Sequence, residues 1–139
     1  MNPSLLTHLL KPLDGARLEC DGMSSVISWG LHEQGVTHRV KSGMIHRGDV
    51  SICHVWIELF TGHVIDLRAR MWLGDRLDVP HGVFRPEDYP HVTYIEHPDK
   101  ERMGVMDGWL VMALSDGLAG KVRWSDLARE AKSEPRVAQ

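Results

Sequence analysis

The strongest constraint on the fold of this chain is a pair of short apolar runs within residues 51–70. Both runs are rich in β-branched and aromatic side chains, and a segment that ends in Gly62 separates them, which is typical of a β-hairpin. A two-residue loop would place Ile57 and Ile65 on opposite faces of the sheet. A three-residue loop over 60–62, with Gly62 left-handed, places them on the same face and is a common hairpin type. We therefore predict that Ile57 pairs with Ile65.

The alternation of side chains in this hairpin predicts which polar groups share a face. Because strand side chains point alternately to two faces, the apolar set of the first run, which includes Cys53, is expected to face the core. The opposite face then carries His54, Trp56 and Asp66. In this register His54 is the diagonal neighbour of Asp66, at roughly 7–8 Å between the two backbones. An imidazole and a carboxylate can hydrogen-bond across that gap, although two solvated side chains are the competing interpretation.

Composition indicates an ordinary soluble globular protein. The 139 residues suit a single domain, 1–139, and the contents of 42% apolar and 25% charged residues are average. The net charge of −3 gives no indication of binding to nucleic acid or to a membrane surface. No run approaches the roughly 20 apolar residues of a membrane span, and the first residues do not form a signal-peptide pattern. We predict a cytoplasmic protein whose tail, 133–139, is frayed.

The second informative segment begins at Cys20. Apolar residues recur after it at helical spacing, namely Met23, Val26, Ile27 and Leu31. Gly35 is a natural stop for this helix, and Asp21 is the expected N-cap. Cys20 would then lie at the mouth of the helix, where unpaired N–H groups and the macrodipole favour an anion. A thiol in that position can act as a nucleophile near neutral pH.

Two cysteines are too few for the disulfide framework of a small secreted protein. We therefore expect both thiols to be reduced. Cys53 is expected to behave as a small apolar residue of the core.

The order of these residues along the chain suits nucleophilic catalysis. Cys20 would attack a carbonyl carbon, His54 would transfer the proton, and Asp66 would orient the imidazole. The hairpin accounts for the His–Asp geometry, but no spacing rule establishes a contact between Cys20 and His54. The sequence therefore predicts a Cys-His-Asp triad in which local structure accounts for the His54–Asp66 pair but not for the contact of Cys20 with His54.

At this point the chain resembles a known family. The residues that carry the resemblance are Cys20 at a helix start, a strand with Gly43 at its end, His54-Val-Trp56 and Val64-Ile-Asp66. Together they resemble the transglutaminase-like branch of the papain-like cysteine protease superfamily, over roughly residues 16–70, about half of the chain. The resemblance implies an α+β fold with a papain-like, transglutaminase-like core. In that core an antiparallel sheet packs against an N-terminal helix that begins at the cysteine.

The resemblance also implies an activity. The chain is expected to be a thiol-dependent acyl-transfer enzyme, a cysteine peptidase or amidase that cleaves a peptide or isopeptide bond in a protein or peptide substrate. A transglutaminase or deamidase acting on protein glutamine, and a catalytically silent binding module, stay open as alternatives. Hydrolysis is favoured slightly over amine transfer because water needs no second substrate site. Backbone N–H groups of Cys20 and Asp21 are expected to hold the oxyanion, since no Gln or Trp precedes Cys20.

Four further side chains are candidate substrate contacts. Trp56 and Arg68 share the His54 face in the predicted hairpin, whereas Trp72 and His81 follow Asp66 closely enough to border a cleft. For each of them a structural role is the competing interpretation, as a core residue or as part of a solvated pair.

A metal site is the alternative from a different class of chemistry. Cys20, His54 and Asp66 are side chains that Zn²⁺ accepts, with a fourth position open. The sequence lacks the His-Glu-x-x-His spacing that places two ligands on one helical face. We predict no metal, no cofactor, and neither nucleic acid nor membrane as a partner. The sequence does not indicate an oligomeric state.

Overall fold

A computed structural model of the protein describes residues 1–97 and 106–133 as helices packed against one antiparallel sheet. The helices over these residues are α1 (Pro3–Asp14), α2 (Cys20–Glu33), α3 (Ala69–Leu73), α4 (Gly108–Leu114) and α5 (Trp124–Ala131). The strands are β1 (His38–Arg47), β2 (Val50–Leu59), β3 (Val64–Asp66), β4 (Gly82–Phe84) and β5 (Thr93–Glu96). The predicted α+β class and antiparallel sheet are confirmed. Residues 134–139 of the tail that we expect to fray lie outside the described residues.

The strands of the sheet lie in the order β4-β3-β2-β1-β5, and neighbouring strands are antiparallel throughout. The two long strands β1 and β2 form a hairpin that pairs from His38 with Leu59 to Arg47 with Val50. The last strand, β5, joins the free edge of β1, with Tyr94 opposite Ile45. Two segments that are distant in sequence therefore meet across β1.

The β2–β3 hairpin has the predicted register. Ile57 pairs with Ile65, and Glu58 pairs with Val64. The loop has three residues, because the N–H of Leu59 donates to the carbonyl oxygen of His63 at 2.8 Å. Gly62 closes it with a φ of +86°, a conformation that an L side chain rarely adopts.

The larger apolar core lies between one face of the sheet and the helices. It includes the side chains Leu6, Leu10, Leu13, Met23, Val26, Ile27, Leu31, Ile57, Leu59 and Ile65. Those of α2 are the residues whose spacing predicts the helix. Each such buried aliphatic side chain stabilises the fold by about 1.5–3 kcal/mol relative to an exposed one. This core fixes α2, and with it the position of Cys20, against the sheet.

The opposite face of the sheet is also covered. A second apolar cluster on it comprises Ile45, Trp56, Val64, Ala69, Leu73, Val79, Phe84 and Val92. Most of these side chains come from the segment between β3 and β5, which folds back over the sheet. The face that carries His54 is therefore a buried face and not a solvated one.

Two sequence predictions about local positions are wrong. Cys53 is exposed, with its sulfur 3.5 Å from that of Met44. The turn end of the β1–β2 hairpin extends beyond the helices, as the exposure of Ser51 on the same face also indicates. Asp21 is not the N-cap of α2. That position belongs to Glu19, and the Asp21 carboxylate instead accepts the N–H of the following Gly22 at 2.8 Å.

Over the described parts of the chain, no helix combines the length and the apolar character that crossing a bilayer requires.

The close approach of α2 and α5 gives a first prediction. A Cβ atom at Gly30 would lie 2.2 Å from the ring of Trp124, whereas a Cβ at Gly15 would meet no atom within 4 Å. We expect Gly30→Ala to lower the free energy of unfolding by about 1–3 kcal/mol, the usual cost of overpacking. Gly15→Ala, at a residue with a φ of −78°, is the matched control and should change stability by less than about 0.5 kcal/mol. Urea denaturation of the two variants measures both, and equal effects would contradict the tight packing.

Candidate active site

His54 and Asp66 form a buried hydrogen-bonded pair between β2 and β3. Nε2 of His54 donates to Oδ2 of Asp66 at 2.7 Å, and the two residues are only 2% and 3% exposed. The hairpin register brings the two side chains to one face, as the alternation of the sequence predicts. What the sequence does not indicate is the burial, which removes the pair from solvent and strengthens the electrostatic attraction.

Asp66 accepts four hydrogen bonds, which suits a carboxylate that is removed from water. Its Oδ1 accepts the backbone N–H groups of Arg68 and Ala69, each at 2.9 Å, at the start of α3. Its Oδ2 accepts the hydroxyl of Tyr94 at 2.8 Å in addition to the imidazole of His54. The carboxylate is therefore held on both oxygens, and its orientation toward His54 is fixed.

Tyr94 is a residue of this site that local sequence patterns do not identify. The hairpin pattern ends at β3, whereas Tyr94 reaches Asp66 from β5, which pairs with β1. Its ring packs edge-on against Trp56 with centroids 5.0 Å apart. Burial raises the pKa of Tyr94 far above its usual range, and the charge of Asp66 raises it further. Tyr94 is therefore a neutral hydroxyl that always donates.

His54 has a strongly raised pKa. Burial alone would lower the pKa, but the hydrogen bond that His54 donates to Asp66 and then the contact with Cys20, together with the charges of both groups, raise it to about 9. The imidazole ring also stacks on Trp56, with centroids 6.4 Å apart and planes 19° apart. His54 is therefore an imidazolium at neutral pH, with Asp66 on one side of the ring and Cys20 acting on it as well.

The second ring nitrogen of His54 is free for this contact. Nδ1 is buried and has no hydrogen-bond partner of standard geometry among the described residues. The contact of Cys20 with the imidazole is therefore looser than an ordinary hydrogen bond. Catalytic hydrogen bonds are often long in the absence of substrate and tighten when it binds. We assign Nδ1 as the atom that faces the thiol, since Nε2 is bonded to Asp66.

Cys20 is the first residue of α2, and its thiol is partly buried and free of any disulfide. The N–H of Met23 donates to the carbonyl oxygen of Glu19 at 2.9 Å, and the N–H of Gly22 donates to the Asp21 carboxylate. No described residue accepts a hydrogen bond from the N–H groups of Cys20 and Asp21. Two donors therefore remain at the helix start beside the thiol, where the macrodipole favours negative charge.

The four candidate substrate contacts differ in burial and in position. Trp56 is 3% exposed and belongs to the second apolar cluster, so it supports His54 from within the core. Arg68 is 6% exposed, so it is not part of a solvated pair, and it lines the same surface groove as His81. Trp72 is 48% exposed on α3. His81 lies 3.7 Å from the carboxylate of Asp14, in a surface groove beside the start of α3.

The arrangement does not favour a zinc site. Among the residues that the structure describes, no three His, Cys, Asp or Glu side chains form a group that could hold a metal ion. The oxygen and nitrogen of Asp66 and His54 that would have to share a metal are instead bonded to each other.

The raised pKa of His54 gives a prediction about stability. Because the pKa is about 9 in the folded protein and near 6.5 in the unfolded chain, the protonated pair stabilises the fold fully below about pH 6.5. This contribution is lost as the pH rises through 9. We expect the difference in unfolding free energy between the wild type and His54→Gln to shrink by on the order of 3 kcal/mol from about pH 6 to pH 10. Urea denaturation at the two pH values measures this difference, and a constant difference would mean that His54 is not charged in the folded state.

Comparison of the sequence with models of protein families, with curated proteins and with solved structures gives no match in any of the three. The geometry of the site is thus the basis on which a function can be argued.

Proposed function

We propose that the protein is a thiol-dependent acyl-transfer enzyme, a cysteine peptidase or amidase that uses Cys20, His54 and Asp66. The observation that carries the proposal is the buried hydrogen bond between Nε2 of His54 and Oδ2 of Asp66. Together with an interaction between the imidazole and Cys20, it raises the pKa of His54 and so favours an imidazolium. A protonated imidazole beside a thiol stabilises the thiolate, which is the reactive nucleophile. We further propose that the sheet and α2 form a core of the transglutaminase-like kind, as the order of the three residues along the chain suggests.

In the first half of the proposed reaction the thiolate of Cys20 attacks the carbonyl carbon of an amide. The new C–S bond turns the carbonyl oxygen into an oxyanion, which the N–H groups of Cys20 and Asp21 would stabilise. His54 then donates its Nδ1 proton to the amide nitrogen, the C–N bond breaks, and the amine leaves. The product of this half is a thioester on Cys20 and a neutral imidazole.

In the second half water attacks the thioester carbon, and His54 takes its proton on Nδ1. The C–S bond breaks, the carboxylic acid leaves, and the thiolate–imidazolium pair is restored. Asp66 keeps the ring in place through both halves, because its four hydrogen bonds hold it whether the imidazole is charged or neutral. An amine in place of water would give transfer instead of hydrolysis.

The test of the pair is the reactivity of the two cysteines. We expect iodoacetamide at about pH 7 to alkylate Cys20 at least about tenfold more slowly in His54→Ala than in the wild type. Cys53, exposed and on the far end of the β1–β2 hairpin, is the internal control and should react equally in both. Mass spectrometry of peptides resolves the two sites.

The contrary result is equally clear. If the alkylation of Cys20 is unchanged in His54→Ala while the variant stays folded, no thiolate–imidazolium pair exists and the proposed function fails. Asp66→Asn is a variant of intermediate severity, because the His54 ring would lose the charge of Asp66 but keep an amide oxygen in the same position. It should slow alkylation less than His54→Ala does.

The chemical step is tested with an activated ester. We expect 4-nitrophenyl acetate to acetylate Cys20 and release nitrophenol in a burst, since a thioester intermediate forms before water attacks. Cys53→Ser should keep the burst and Cys20→Ser should lose it. Mass spectrometry should find the acetyl group on Cys20 during turnover.

The alternatives give different outcomes in the same assay. A transglutaminase would pass the acetyl group to an added primary amine faster than to water, and the amide product would appear. A catalytically silent binding module would show no burst and no acetyl group, and Cys20→Ser would leave its binding to a partner unchanged. Either result would overturn the hydrolase assignment.

A further inference from the structure

Arg68 is a buried arginine whose five N–H donors all have acceptors within the protein. Its Nε donates to the carbonyl oxygen of Leu18 at 2.6 Å. Its Nη2 donates to the carbonyl oxygens of Asp14 at 3.1 Å and Ala16 at 2.8 Å. Its Nη1 donates to the carboxylate of Asp14 at 3.0 Å and to the carbonyl oxygen of Leu67 at 2.8 Å. No donor is left over for a substrate.

Most of these acceptors lie along one short stretch of backbone. Residues 15–19 form the connector between α1 and α2, and it leads directly into Cys20. Three backbone carbonyl oxygens accept hydrogen bonds from the Arg68 guanidinium: that of Asp14, just before the connector, and those of Ala16 and Leu18 within it. A planar group with donors in a fixed fork holds three carbonyl oxygens in one arrangement. The path of the connector, and so the position of the helix start, depends on Arg68.

The backbone of the same residue is bonded to the other half of the site. The N–H of Arg68 donates to Oδ1 of Asp66 at 2.9 Å, while Oδ2 of Asp66 holds His54. One residue therefore joins the carboxylate that orients the imidazole to the connector that ends at the thiol. Among the described residues, none of the other partners of Asp66, which are His54, Ala69 and Tyr94, forms a side-chain hydrogen bond to this connector.

We propose that Arg68 is a positioning residue of the Cys20–His54–Asp66 site, which sets the thiol against the imidazole by clamping the connector to the Asp66 turn. The inference rests on the proposed function, since it concerns the alignment of the same catalytic groups. Burial of a guanidinium beside a single, half-exposed carboxylate is costly unless its donors are satisfied. The saturation of all five donors explains how the fold tolerates this charge.

The Cys20 thiol needs a separate positioning contact because it and the His54–Asp66 pair lie on different secondary-structure elements. His54 and Asp66 share one hairpin, whose register fixes them relative to each other. Cys20 lies on a separate helix, and its contact with the imidazole is looser than a standard hydrogen bond. A displacement of about 1 Å at a reacting atom can lower a rate by two orders of magnitude. The clamp therefore acts where the site is least constrained.

The test is Arg68→Lys with site-resolved alkylation. Lysine keeps the charge but lacks the planar fork, so it cannot hold the three carbonyl oxygens together. We expect the alkylation of Cys20 at about pH 7 to slow by about tenfold, with that of Cys53 unchanged. Arg70→Lys is the matched control, because Arg70 contacts Val79 and Asp75 but not the connector, and it should leave both rates unchanged.

A double-variant comparison separates positioning from a general loss of stability. In a His54→Ala background the thiol has already lost its partner, so adding Arg68→Lys should slow the alkylation of Cys20 by less than about twofold. A fully additive effect of the two substitutions would show that Arg68 acts on Cys20 independently of His54, and the proposal would be wrong.

NMR titration of His54 provides a second readout. In the Arg68→Lys variant the pKa of His54 should fall toward its value in Cys20→Ser, while the Nε2 proton of His54 that is bonded to Asp66 persists.

Asp14→Asn is the milder variant should Arg68→Lys fail to fold. It removes the charge of the one carboxylate that pairs with the guanidinium among the described residues, and it leaves the carbonyl acceptors in place. We therefore expect the alkylation of Cys20 to slow by about two- to threefold. Unchanged alkylation in both folded variants would overturn the positioning role. The proposed function fails separately, by an unchanged rate in His54→Ala alone, so the two failures are distinguishable.

Discussion

The structure of the site depends on one buried carboxylate. Removing an ionised carboxyl group from water costs several kcal/mol unless hydrogen bonds replace the lost solvent. Asp66 obtains them from a strand, a helix start and a second strand, so the three elements that surround it are held together by the same charge. Leaving Asp66 in place but deleting its partners would leave an unsatisfied charge in the interior, which is why His54, Tyr94 and the α3 backbone form one unit.

Because the second face of the sheet is covered, water and salt weaken the electrostatic effect of the Asp66 carboxylate less than they would on an exposed face. On a solvated face the attraction between an imidazolium and a carboxylate would be weakened by water and salt. The segment between β3 and β5 covers this face, because its side chains Val79, Phe84 and Val92 belong to the same apolar cluster as Trp56. Burial and the charge of Asp66 together raise the pKa of Tyr94, whereas for His54 burial lowers the pKa and the interactions with Asp66 and Cys20 outweigh it. The loop segment thus contributes to the chemistry without supplying a reacting group.

The sequence predicts the parts of the site that depend on local periodicity. Period-two alternation and the three-residue loop are enough to place His54 beside Asp66, and helical spacing is enough to identify α2. The hydrogen bond of Tyr94 depends instead on the pairing of β5 with β1, which no local pattern encodes. The exposure of Cys53 is not predictable from alternation, which indicates the face a side chain points to but not how far the helices cover that face. The burial of Arg68 is not predictable for a similar reason, since its acceptors on Asp14, Ala16 and Leu18 lie 50 to 54 positions earlier in the chain.

The three-residue loop at 60–62 decides which of two registers the hairpin adopts. In the same sequence, a two-residue loop would shift β3 by one residue against β2 and turn Asp66 to the face opposite His54. The left-handed conformation of Gly62 suits the three-residue loop, since an L side chain rarely adopts it. The backbone conformation of one exposed turn residue therefore helps to determine whether the imidazole and the carboxylate face each other.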